Sequence, residues 1–240
     1  MCERCQSNTQ GRRDFLELGV AGLLAVGVGG WSQRARAAEG AATKLTPDEA
    51  IAALKSGNQD FVDDPNFCTN NLAHRRQEVA PGQAPWATII SCADSRVPPE
   101  LIFGGLGLGE LFVARNAGNL VDTATLGTVE YGAAVLGSPL IVVLGHSRCG
   151  AVEAACEVVT ENKTFPGSIG PMIEPILAAA IAAKSQTGDF VANAVRESAS
   201  RTAGRVVAAS AIISGLVENK KVKVVAAIYD LDSGAVSWLD

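Results

Sequence analysis

Two five-residue apolar runs, Trp86 to Ile90 and Leu140 to Leu144, are each followed at once by a turn crowded with chemically active side chains. The first opens into Ser91-Cys92-Ala93-Asp94-Ser95-Arg96 and the second into Gly145-His146-Ser147-Arg148-Cys149-Gly150. Short continuous runs of this kind suit strands buried on both faces, as in a parallel sheet. In such a sheet, residues just past the carboxyl ends of neighbouring strands open into one crevice. Cys92, His146 and Cys149 are therefore candidates to converge from distant parts of the chain. Two thiolates and an imidazole form a zinc set whose fourth position stays available to water or a carboxylate, as catalytic zinc requires. Asp94, two residues from Cys92, is that nearby carboxylate.

The rest of the chain supplies elements of the same kind. Thr46 as N-cap, Pro47 at the first helical position and Glu49 three residues after the cap begin a helix. Its interrupted apolar stripe (Ala50, Ile51, Leu54, Phe61, Val62) predicts packing on something outside the main sheet. Asp63 to Ala84 is polar, carries prolines, and reads as irregular; His74 within it reads as a solvated residue. Leu101 to Phe103 predicts a short helix, Leu111 to Asn116 a second strand and Thr123 to Leu136 a helix. Ala151 to Val159 follows as a helix and Phe165 to Pro175 as a loop. Helical spacing returns over Ile176 to Lys184 and Phe190 to Glu218. Val224 to Tyr229 is a fourth strand, and after the Asp232-Ser233-Gly234 turn Ala235 to Leu239 closes as a short antiparallel one. Strands alternating with helices predict an α/β fold: a mostly parallel central sheet of about four strands, a short antiparallel edge strand, flanking helices and an N-terminal helical extension.

Residues 1–37 read as a signal peptide. Arg12-Arg13 precedes a thirteen-residue apolar run, Leu18 to Gly30, and Ala35-Arg36-Ala37 has the form of a cleavage site. The run falls short of the roughly 20 residues that span a bilayer, and the twin arginine points to Tat export. Residues 38–240 would then form the mature domain, periplasmic or otherwise extracytoplasmic, with no permanent membrane span unless an uncleaved leader holds it at the membrane. Loss of the leader removes five Arg and three acids, making the chain more acidic than its formal charge of -5. That charge and the absence of a basic block argue against a nucleic-acid partner. An oxidising compartment makes a Cys92–Cys149 disulfide the rival to a metal site. Export of the folded protein would instead let zinc load in the cytoplasm and protect both thiolates. Cys68 and Cys156 read as buried small hydrophobes, with a disulfide between them as the alternative.

Cys92-x-Asp94-x-Arg96 paired with His146-x-x-Cys149 resembles the β-class carbonic anhydrases, and the likeness extends from about Thr46 to the C-terminus through Ala114-Arg115-Asn116-Ala117-Gly118-Asn119. The resemblance implies one zinc per chain and reversible hydration of carbon dioxide to bicarbonate and a proton through zinc-bound hydroxide. It also implies a homodimer or higher homo-oligomer in which the N-terminal helix wraps on a partner subunit. Asp94 is then a hydrogen-bond acceptor for the hydroxide, or a fourth zinc ligand in a closed form, and Arg96 holds it ionised. Gln83, Phe112 and Tyr131 match the substrate pocket of plant-type members. Where bicarbonate-regulated members carry Trp three residues before the first cysteine, this chain has Ile89, which favours the open form. With no histidine other than His146 near the motifs, the proton would leave through water and buffer.

Two further readings accompany it. Hydrolysis of carbonyl sulfide or carbon disulfide is possible on the same scaffold and zinc set. A catalytically silent zinc-binding protein is the other, although a purely structural site would more often show a fourth Cys or His.

Overall fold

The computed structural model describes residues 43–66 and 72–239. The expected leader, with Cys2 and Cys5, and Cys68 lie outside the described residues. Helix α1 (Pro47–Asp63) begins with the expected capping box: the Thr46 hydroxyl accepts from the Glu49 amide, and the Glu49 carboxylate accepts from the Thr46 amide at 2.8 Å. Helix α2 (Leu72–Val79) occupies part of the stretch read as irregular. It buries no residue, which is why apolar periodicity did not signal it. His74 is exposed there and pairs with Glu78 at 3.2 Å.

Strand β1 (Ala87–Cys92), helix α3 (Pro99–Ile102), strand β2 (Leu111–Asn116) and helix α4 (Thr123–Glu130) follow. The helix expected to reach Leu136 changes to a π-helical turn over Tyr131–Val135. There Gly132 passes so close to Thr88 and Phe112 that a methyl group would meet them at 2.6 and 2.9 Å. Strand β3 (Leu140–His146) runs into helix α5 (Gly150–Glu161). The expected loop after it is a short helix, α6 (Ile169–Ile173), with a 3-10 turn at Glu174–Ile176, leading into α7 (Leu177–Ala183). The long C-terminal helix is two, α8 (Phe190–Ala209) and α9 (Ala211–Glu218), broken at Ser210. Its hydroxyl caps the Ile213 amide and donates to Glu130 at 2.6 Å, a tertiary contact that periodicity does not register. Strands β4 (Lys223–Tyr229) and β5 (Val236–Leu239) close the chain.

The sheet order is β2-β1-β3-β4-β5, parallel except for β5. This is the α/β architecture expected. Alternate residues of the inner strands face two cores. Ile90, Ile141, Val143 and Ala226 pack with α5, α7 and α8 on one side. Ile89, Leu140, Val142 and Leu144 pack with α1 and α3 on the other. Burying each such side chain contributes about 1.5–3 kcal/mol, so β3, buried along its whole length, anchors both layers.

The expectation that α1 packs away from its own sheet is overturned. Ala50 and Leu54 are fully buried in the second core. Asn58 donates to the Ile102 and Gly234 carbonyls and accepts from the Val236 amide. Gly57 lets the helix approach α3: a Cβ there would lie 2.1 Å from the Phe103 carbonyl oxygen. The apolar stripe looked incomplete because two of its contact positions are Gly57 and Asn58, which a hydrophobic pattern does not score.

Candidate active site

The chain adds β2 to one side of β1 and β3 to the other, so the connections diverge between β1 and β3. A parallel sheet opens a crevice at such a point, beyond the carboxyl ends of the strands. Cys92 ends β1 and His146 ends β3, while Cys149 caps the start of α5. The Cys92 and Cys149 sulfurs and one ring nitrogen of His146 all lie within 4.8 Å of one another, and all three residues are buried.

His146 is fully enclosed. Its Nδ1 lies 3.0 Å from the Ser147 carbonyl oxygen and so donates to it, which leaves Nε2 as the nitrogen with a free lone pair. That Nε2 is buried without a hydrogen-bond partner. An unsatisfied buried acceptor costs about 1–3 kcal/mol; aimed at two sulfurs, it is what a metal would satisfy.

The sulfurs are 4.0 Å apart, and both cysteines are free. A disulfide needs about 2.05 Å, whereas tetrahedral zinc with Zn–S bonds near 2.3 Å places its sulfurs about 3.8 Å apart. The two sulfurs share a hydrogen bond in which either thiol could donate. Chiefly for that reason, Cys92 is lowered to about 4, while Cys149 is pushed up by the same bond and by burial. A divalent cation bound here would displace the thiol protons. The donor set therefore fits zinc. The backbone amide of Gly118 donates to Cys92 Sγ at 3.4 Å.

Asp94 sits at the rim, with Oδ2 3.9 Å from His146 Nε2. Its carboxylate is gripped by Arg96, Nε to Oδ1 at 2.9 Å and Nη2 to Oδ2 at 2.7 Å, and it also accepts from the Arg96 amide. The Arg96 side chain holds the Asp94 carboxyl far below the usual carboxylate range. Asp94 faces Arg96 and stands outside the set of three ligand atoms.

Gln83, Phe112 and Tyr131 do not join this group within the chain. Gln83 is half-buried before the start of β1, the end opposite Cys92. Phe112 pairs with Thr88, four residues or about 13 Å of strand before Cys92. Its ring meets Tyr131 at a tilt of 33°, with centroids 6.1 Å apart. The two aromatic residues meet each other, away from the sulfurs.

Sequence reasoning missed the parts that hold the first motif in place. Arg115 donates from Nε to the Cys92 carbonyl at 2.9 Å and from Nη2 to the Asp94 carbonyl at 2.6 Å. Asn116 clamps both backbone groups of Leu120, shaping the turn that presents the Gly118 amide. Gly118 has φ +83, and a Cβ there would lie 2.9 Å from Ile176 Cδ1. The only signal for these residues was their place in the Ala114–Asn119 stretch.

Residues 87–236 match the family model for carbonic anhydrase. The chain is 38% identical over 193 residues to carbonic anhydrase 2 of Mycobacterium tuberculosis, covering 78% of this chain and 90% of that protein. Its fold resembles a Coccomyxa β-carbonic anhydrase solved with acetazolamide, at TM-score 0.60 and 28% identity, over 82% of this chain and 87% of that one. It also resembles a tetrameric β-carbonic anhydrase of Sordaria macrospora, at TM-score 0.59 and 25% identity, over 80% of this chain and 97% of that one.

Proposed function

The chain belongs to the β-class carbonic anhydrases, and we propose that it hydrates carbon dioxide with one zinc ion held by Cys92, His146 and Cys149. The reaction is carbon dioxide plus water to bicarbonate plus a proton, and it is reversible. Hydrolysis of carbonyl sulfide or carbon disulfide is not favoured by the relatives, nor is a silent role. The observation that carries the metal reading is the orphaned Nε2 of His146 facing two sulfurs inside a buried set.

Bound by Cys92, His146 and Cys149, zinc would supply Lewis acidity that lowers the pKa of water from about 15.7 toward 7. The protein's own residues do the rest. The Ser147 carbonyl fixes the His146 tautomer. The Gly118 amide and Arg115 set the Cys92 sulfur and its turn. Asp94, kept ionised by Arg96, accepts a hydrogen bond from the attacking oxygen and orients a lone pair toward the carbon of carbon dioxide. Its bidentate hold on Arg96 supports an open resting site in which Asp94 is not a ligand. The proton passes to water and buffer.

The assembly we propose is a homo-oligomer joined along β2. That strand is an edge of the sheet, and an unpaired edge favours pairing with a second chain. The tetrameric Sordaria relative is consistent with this. Among the described residues no helix is long and apolar enough to cross a membrane. Export to an extracytoplasmic compartment rests on the twin arginine and apolar run of residues 1–37 alone.

Stopped-flow carbon dioxide hydration, with zinc measured on the same sample, tests the central reading. About one zinc per chain and activity that disappears in Cys149→Ala together with the metal are expected. A full zinc equivalent retained in Cys149→Ala would overturn the ligand set.

A further inference from the structure

Helix α8 carries Ser198, Arg201, Thr202 and Arg205 at spacings of three and four, which places them along one face. That face closes a cavity of about 170 Å3 whose opposite wall includes Leu120 and Pro175. Ser198 and Thr202 are only 4% and 7% exposed. Helical threonines elsewhere in this protein return their hydroxyls to the carbonyl one turn back, as Thr128 and Thr160 do. Ser198 and Thr202 make no side-chain hydrogen bond of any kind among the described residues. Ser198 and Thr202 are thus nearly buried residues whose hydroxyls open onto the cavity without protein partners, free to bond a ligand or water there.

The charge around them has one sign in excess. Arg201 commits its Nε to Glu197 at 3.1 Å, which leaves its terminal nitrogens available. Arg205 has no carboxylate partner among the described residues. A cation would be repelled by the two guanidinium groups, and an apolar molecule would leave the hydroxyls unsatisfied. An anion rich in oxygen satisfies both: it draws bidentate contacts from arginine and accepts from hydroxyls. At about 30 Å3 per water molecule, the cavity has room for one small oxyanion and a few waters.

We propose that this cavity binds a small oxyanion of the phosphate or bicarbonate kind, held by the guanidinium groups of Arg201 and Arg205 and the hydroxyls of Ser198 and Thr202. The site is distinct from the Cys–His–Cys group and independent of which metal sits there. It lies behind the same turn, however. Leu120 is clamped by Asn116, and Pro175 precedes Ile176, which packs on Gly118.

The test is calorimetric titration of the zinc-loaded full chain with inorganic phosphate and, separately, with bicarbonate. One saturable site per chain is expected for at least one of them, with a Kd of order millimolar. Arg205→Gln and Thr202→Val should each weaken it about tenfold or more, with carbon dioxide hydration unchanged. Saturation by phosphate alone identifies a tetrahedral anion as the ligand. Saturation by bicarbonate identifies the reaction product. The proposal is overturned if neither anion saturates by about 50 mM, or if binding is the same in both variants, which would place the anion at the metal.

Discussion

Arg148 grips both carboxylate oxygens of Asp232, Nη1 to Oδ2 at 2.6 Å and Nη2 to Oδ1 at 2.8 Å, and so ties the turn between His146 and Cys149 to the turn between β4 and β5. Two backbone links run alongside: the Ser147 amide donates to the Tyr229 carbonyl, and the Leu231 amide donates to the Ser147 hydroxyl. Asn58 of α1 holds the far end of the same turn. Two of the three metal-set residues thus bracket a backbone segment that a neighbouring loop holds in place. Because the pair is exposed, its effect on global stability should be small, and its effect on the turn larger. In Asp232→Ala the zinc should leave faster to a chelator by a few-fold, up to roughly tenfold, with an unfolding midpoint close to wild type. Release at the wild-type rate would show that the two backbone links suffice.

Asp94 and Arg96 form a bidentate pair at the rim of the metal set. Asp94→Asn keeps the shape but not the charge that orients the attacking oxygen. Zinc content should stay near one per chain while the hydration rate falls about a hundredfold or more. An unchanged rate in single-turnover or steady-state assays removes Asp94 from the reaction.

Gly118 combines a left-handed backbone with a contact that admits no side chain. Gly118→Ala should lower stability by roughly 2 kcal/mol, read as a drop in the thermal midpoint. Ile176→Val on that background removes the Cδ1 that a Cβ would strike and should recover part of the loss, leaving the backbone part. If the double variant recovers nothing, steric contact with Ile176 is not the cause.

Asp230 shapes the turn after β4 by accepting from the Ser233 amide and hydroxyl and from the Asp232 amide. Foremost the Ser233 amide holds its carboxyl below the ordinary 3.8. A carboxyl depressed in the folded state stabilises it above the unfolded value and loses that contribution as pH falls through the folded one. Wild-type stability should therefore decline as pH drops below about 4, and part of that decline should be missing in Asp230→Asn. Denaturant midpoints compared between pH 3 and 6 would show it; parallel curves for the two proteins would contradict it.

Much of the architecture was legible because the responsible residues carry their own local signal. Leu140 to Leu144 is apolar at every position, as only a strand buried on both faces needs to be, and β3 is such a strand. Thr46, Pro47 and Glu49 mark a helix start through hydrogen bonds that span three residues, and α1 starts there. Helix α2 and the break at Ser210 were not legible. The first buries nothing, and the second depends on Glu130, eighty residues away.

For the site, the kinds of donor were written in the sequence: two thiols, one imidazole and one carboxylate with its arginine, each at or just past the end of an apolar run. Their chemistry follows from residue type and short spacing, which a linear chain carries intact. Tertiary structure decided what depends on long-range approach. It set the sulfurs 4.0 Å apart and left His146 Nε2 without a partner. It also brought Arg115 onto the carbonyls of Cys92 and Asp94, and placed Phe112 beside Tyr131 at a distance from the metal set. Strand register and the direction of approach between elements arise from packing on both faces of the sheet, a property of the whole fold that no local stretch of residues encodes.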